Sequence, residues 1–206
     1  MKIAFYAITL FIFISCSTGN RPEGTHNAEG DHMVFSDTTT GWTTRYPKRW
    51  KALTQKEMRA MEGKGEDVLE EAAGGELVLT HRNLLWLKKD DFNSMTSNYQ
   101  PYDAVTDGSY EEMENMITGV LEKAYQQQGI QFESKTGTSM IDGLAFSMWE
   151  ATILTPDRSD TIMTQVMYQR LLDKRTAILI NINYGSMADR DTLMSIVNAS
   201  KFTIRD

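Results

Sequence analysis

Three apolar-rich runs near the end of the chain constrain its fold more than any other feature. Leu144 to Leu154, Thr161 to Leu172 and Thr176 to Tyr184 are rich in β-branched and aromatic residues. They are separated only by Pro156-Asp157-Arg158-Ser159-Asp160 and Asp173-Lys174-Arg175. Connections this short join antiparallel neighbours, because a parallel pair needs a crossover of a dozen or more residues. A meander is therefore expected. Asp157 and Asp160 lack the full ligand spacing of a calcium loop and read as a turn.

In the simplest registers, Trp149, Ala151 and Ile153 share a face with Met163, Gln165, Met167, Gln169, Asn181 and Asn183. The opposite face carries Val166, Tyr168, Ile178, Ile180 and Ile182 and reads as core. Glu150 falls on that apolar face, a warning that the register could slip. The first face mixes a ring, thioethers and carboxamides. Trp149, Gln165, Met167, Asn181 and Asn183 are accordingly the candidate ligand or partner face, unless a helix covers it and takes up the amides.

Upstream, the clearest helix spans Tyr110 to Gln128. Ser109 and Glu112 form a capping box, apolar residues recur every three or four positions from Tyr110 to Tyr125, and Gly129 supplies the stop. Core packing against a sheet explains this stripe better than a partner-binding face. Met33 to Ser36 and Trp42 to Tyr46 flank a polar turn ending in Gly41 and read as a hairpin, with Trp50 as a core plug. Thr54 and Glu57 open a second helix, which Gly63 and Gly65 are expected to break or kink. Strands are expected within Glu76 to Lys88 and over Phe92 to Tyr99, joined by a solvated turn at Lys88-Lys89-Asp90-Asp91. His81 stands alone and reads as structural. A closing helix from about Asp189 to Ala199 points Leu193, Ile196 and Val197 inward. The fold class expected is α+β, a predominantly antiparallel β-sheet flanked by helices.

The start of the chain speaks to location. Lys2 precedes an apolar run from Ile3 to Ile14, too short for the ~20 residues a spanning helix needs and of signal-peptide length. Phe13-Ile14-Ser15-Cys16 resembles a bacterial lipobox, departing from it only in Phe13 for the usual Leu. That resemblance implies cleavage before Cys16, the single cysteine, and its lipidation, which fixes the protein to a membrane. The expected organisation is a signal peptide over 1–15, lipidated Cys16 and a flexible tether to residue 31, and one globular domain over 32–206. Ser17 to Asp31 is too polar to order itself, and His26 and His32 read as solvated. A net charge of −7 with no basic block argues against nucleic-acid binding. No cofactor or metal site is expected. The sequence leaves oligomeric state open.

This order of elements resembles the PsbP-like superfamily, which includes Mog-type proteins and DcrB-like envelope lipoproteins. The likeness rests on the opening hairpin into Tyr46-Pro47-Lys48-Arg49-Trp50, the strand start at Gly143, the strands around Gln165 to Tyr168 and Ala177 to Tyr184, and the closing Leu193 to Phe202 segment. It implies an α/β/α sandwich and members that mostly bind or support other proteins, and it carries no catalytic motif. The expectation is a non-enzymatic binding or assembly module in the bacterial cell envelope, periplasm-facing, with an envelope protein as partner. The alternatives are a small-ligand or peptide carrier and, behind it, a hydrolase whose carboxylates meet only in the fold.

Overall fold

The computed structural model describes residues 24–74 and 81–203, apart from the side chains of 62–70. Cys16, the segment before it and Ser17 to Glu23 lie outside the described residues. Among those described, the strands are β1 Thr25–Glu29, β2 His32–Ser36, β3 Trp42–Pro47, β4 Lys51–Ala52, β5 Arg82–Lys88 and β6 Ser94–Pro101, then β7 Gln131–Ile141, β8 Leu144–Leu154, β9 Thr161–Leu171, β10 Thr176–Tyr184 and β11 Lys201–Phe202. The helices are α1 Gln55–Ala73, α2 Tyr110–Gln127 and α3 Met187–Asn198. Every strand pairing is antiparallel, in a seven-stranded sheet ordered β4-β5-β6-β10-β9-β8-β7 and a four-stranded sheet ordered β1-β2-β3-β11. The α+β class expected from the sequence is the one observed.

The large sheet has two covered faces, since its central strands are buried on both sides, one side apolar and the other mixing apolar side chains with amides and hydroxyls. Val166, Tyr168, Ile178, Ile180 and Ile182 pack with Phe35 and Trp42 of the small sheet and with Leu193, Ile196 and Val197 of α3. The Thr44 hydroxyl donates to the Ile196 carbonyl at 2.7 Å, tying β3 to α3. On the other face, Met113, Ile117, Leu121, Ala124 and Tyr125 of α2 lie on Trp149, Ala151, Ile153, Met163 and Met167. Beside them, Met58 of α1 packs on Leu53 and Trp86.

The meander registers are the simple ones, Trp149 opposite Met167, Ala151 opposite Gln165, and Asn181 and Asn183 opposite Met167 and Gln165. Glu150 does lie on the apolar side, yet nothing slips there. It is one strand from the sheet edge and meets the cross-strand Lys135 at 2.8 Å.

Three local expectations change. The helix from Gln55 runs through Gly63 and Gly65 to Ala73 without a break; helical glycines cost about 1 kcal/mol each relative to alanine, too little to end a helix capped by Thr54 and Glu57. Thr25–Glu29, expected as tether, is strand β1 and pairs along its length with β2. His26, expected to be solvated, bonds the Tyr46 hydroxyl at 2.7 Å and packs beside Phe35. A strand not expected at all, β7, pairs with β8 over eleven positions. Its hydrophobic signal is absent because most of it faces solvent on both sides.

Candidate functional site

The five residues of the expected ligand face do come together, but not as an open groove. Trp149, Gln165, Met167, Asn181 and Asn183 are at most 6% exposed; Trp149 and Met167 pack under α2, whose Tyr125 bonds Gln165. The helix-covered alternative is the one observed, and its cause is simple. The apolar stripe of α2 needs cover, and this face of the sheet is the surface that supplies it.

The amides bond inside that layer. The Tyr125 hydroxyl donates to Gln165 Oε1, and Gln165 Nε2 donates to Asn181 Oδ1 at 2.9 Å. Asn183 Nδ2 donates to the Ser94 hydroxyl at 3.2 Å. Burial alone pushes the Tyr125 phenol far above its ordinary range, so it remains a neutral donor. Its ring stacks on Trp149 at 6.4 Å between centroids. A buried amide without partners costs about 1–3 kcal/mol, so the bonds from Tyr125 to Gln165 and on to Asn181 help fix where α2 sits, while Asn183 Oδ1 stays buried without a partner.

Toward the sheet edge the network becomes acidic. Trp149 Nε1 donates to Glu122 Oε1 at 3.1 Å, and the Ser134 hydroxyl of β7 donates to the same oxygen at 2.6 Å. Two turns earlier on α2 sits Glu114, half-buried. Burial pushes its carboxyl upward and nearby Glu111 adds to that, against hydrogen bonds from Ser147 and Tyr110. Tyr110 is raised well above the ordinary phenol range, first by burial and then by Glu114.

The outer strand itself is open. Glu133 to Thr138 are exposed without interruption, and Met140 is 62% exposed. Phe132 lies edge-on to the Tyr125 ring, at 5.3 Å between centroids, which places the even-numbered side chains of β7 on the α2 side. On the other side Arg158 of the β8–β9 turn meets Glu133 at 2.7 Å. That turn closes on itself, since Thr155 and Ser159 donate to Asp157 and hold its carboxyl down at about 2.

Elsewhere, a shallow cleft of about 20 Å³ lined by Thr39, Thr40, Asp173, Thr176 and Thr203 has room for about one water molecule. Among the described residues, no three His, Cys, Asp or Glu side chains converge as a metal site, and no helix is long and apolar enough to cross a membrane. His81 is buried at the start of β5.

Sequence reasoning missed the β7 edge and its alignment with Glu114 and Glu122. A signal was present: Asp142-Gly143, with both residues at positive φ (51° and 77°), is the dipeptide of a two-residue hairpin turn.

No family model matches the chain, and no curated protein does. Among solved structures, the solution structure of cyanobacterial PsbP (CyanoP) from Synechocystis is similar, with a TM-score of 0.55 and 12% identity over 91% of this chain and 98% of that one. The likeness supports a PsbP-like fold. At this identity it speaks to the fold alone.

Proposed function

We propose that this chain is a lipid-anchored protein of the bacterial cell envelope, attached through Cys16, whose PsbP-like domain binds other proteins and catalyses no reaction. The observation that carries the binding reading is the closure of the polar sheet face. With Trp149, Gln165 and Met167 packed against or bonded to α2, and Asn181 and Asn183 buried beside them, recognition falls to the outer surface, where a long strand edge stands open. A small-ligand carrier built on those five residues would need α2 to lift away, exposing the Tyr125, Leu121 and Ile117 side chains to water. The anchor reading is supported by the lipobox-like Phe13 to Cys16 and by the short apolar run before it.

The test is affinity capture of the full-length chain after amine-reactive crosslinking in intact cells. The same partner should be recovered in repeated captures with wild type and in reduced amount with Cys16→Ser, which loses its place at the membrane. Failure to recover any reproducible partner would overturn the binding reading.

A further inference from the structure

The β7 edge, set beside the acidic flank of α2, has the geometry of a docking site for an extended strand. The β7–β8 connection is the two-residue turn Asp142-Gly143, and the register runs unbroken from Ile141 opposite Leu144 to Gln131 opposite Leu154. In such a hairpin the residues flanking the turn exchange both backbone hydrogen bonds, and bonded and non-bonded positions then alternate. The odd-numbered residues of β7 therefore bond β8. Phe132, Ser134, Thr136, Thr138 and Met140 direct their backbone N–H and C=O groups away from the sheet, a template for one more strand.

Those same residues turn their side chains toward α2, as the Ser134 bond to Glu122 and the Phe132 contact with Tyr125 show. They are small and polar in the middle of the strand, which leaves the helix flank reachable. Both bonds received by Glu122 fall on Oε1 and leave Oε2 as an acceptor. Glu114 interacts with Ser147, which lies opposite Thr138. The two carboxylates are eight residues apart on α2, about 12 Å along the axis. A strand advances about 13–14 Å over four residues, so peptide side chains four apart on the α2 side, opposite Ser134 and Thr138, match that interval.

Charge selects the occupant. A second copy joined by its own β7 would bring the two acidic α2 flanks to the same side of the seam, where they repel. An extended segment with lysine or arginine at positions i and i+4 meets them with opposite charge, and the net charge of −7 draws it in. We propose that the β7 edge and the Glu114–Glu122 flank of α2 bind an extended basic segment of a partner protein by strand addition. This rests on the binding reading above and goes further by naming the surface and the chemistry of the partner.

The test is fluorescence anisotropy with the full-length chain in detergent. The probe is a labelled nonapeptide of alternating threonine and valine with lysine at positions 3 and 7, compared with its glutamate counterpart. The basic peptide should bind at least tenfold more tightly, and Glu122→Gln should weaken it several-fold without changing the melting temperature by more than a few degrees. N-methylating the peptide amides at one alternate set of positions should abolish binding, while methylating the other set should leave it. Equal binding of both peptides, or equal sensitivity to both methylation patterns, would overturn the site. A photo-crosslinking residue at Thr136 or at exposed Met187, introduced in intact cells, separates the two claims. Capture from Met187 alone overturns the β7 site and leaves the binding reading standing; capture from neither overturns both.

Discussion

Gln165 is the residue on which the interior layer turns, accepting from the Tyr125 hydroxyl and donating to Asn181. Tyr125→Phe should leave Gln165 Oε1 buried without its donor and cost about 1–3 kcal/mol in denaturant unfolding; an unchanged midpoint would show that water replaces the bond. Trp149→Ala should cost more, about 3–5 kcal/mol, because it opens a cavity beneath α2 and removes one of the two donors to Glu122. Glu114 behaves in the opposite sense. Its folded carboxyl holds a proton more tightly than the unfolded one, chiefly through burial. Stability from this group is therefore fully present at acid pH and declines as pH rises from the ordinary carboxylate range, near 4.3, through the raised folded value. Glu114→Gln should flatten thermal stability over that window and melt higher than wild type at pH 7. A slope identical to wild type would mean that the carboxyl is not held upward.

At the scale of elements, α2 is the part most open to a clean measurement. Its capping box is complete, with Ser109 accepting from the Glu112 N–H at 3.2 Å and Glu112 accepting from the Ser109 N–H at 2.9 Å, so Ser109→Ala should cost about 1 kcal/mol. Gly119 sits within the helix on its exposed side, and a Cβ there would meet nothing within 4 Å. Gly119→Ala should therefore stabilise by about 0.5–1 kcal/mol, a melting shift of roughly 1–4 °C in a chain of this size. Gly143→Ala, at φ +77°, should do the reverse and loosen the β7–β8 turn. These elements also show what was legible beforehand. The meander and α2 could be read because apolar period and cap chemistry agreed, and the registers of β8, β9 and β10 followed from short turns. Whether α2 lay on the polar sheet face could not be read, since an amide bonded to a ligand and an amide bonded to Tyr125 look the same in sequence. The edge β7 escaped because a strand exposed on both faces carries no alternation, and β1 escaped because its order comes from pairing with β2 rather than from its own side chains.

For the whole molecule, β1 changes the geometry of the proposed attachment. The backbone at Gly24 lies so close to Phe35 that a Cβ would fall 2.3 Å from the ring, and Thr25–Glu29 is paired with the hairpin. Thr25–Glu29, part of the segment expected as a tether, therefore belongs to the folded part, and Ser17 to Glu23 lie outside the described residues. A domain attached through Cys16, as proposed, would meet its partners at or near the membrane surface. The proposed role therefore depends first on Cys16, and metabolic labelling with an alkyne fatty acid tests it most directly. Wild type should take up label and fractionate with membranes, while Cys16→Ser should take up none and appear in the soluble fraction; equal labelling of both, or Cys16→Ser remaining membrane-bound, would contradict the anchored binding module.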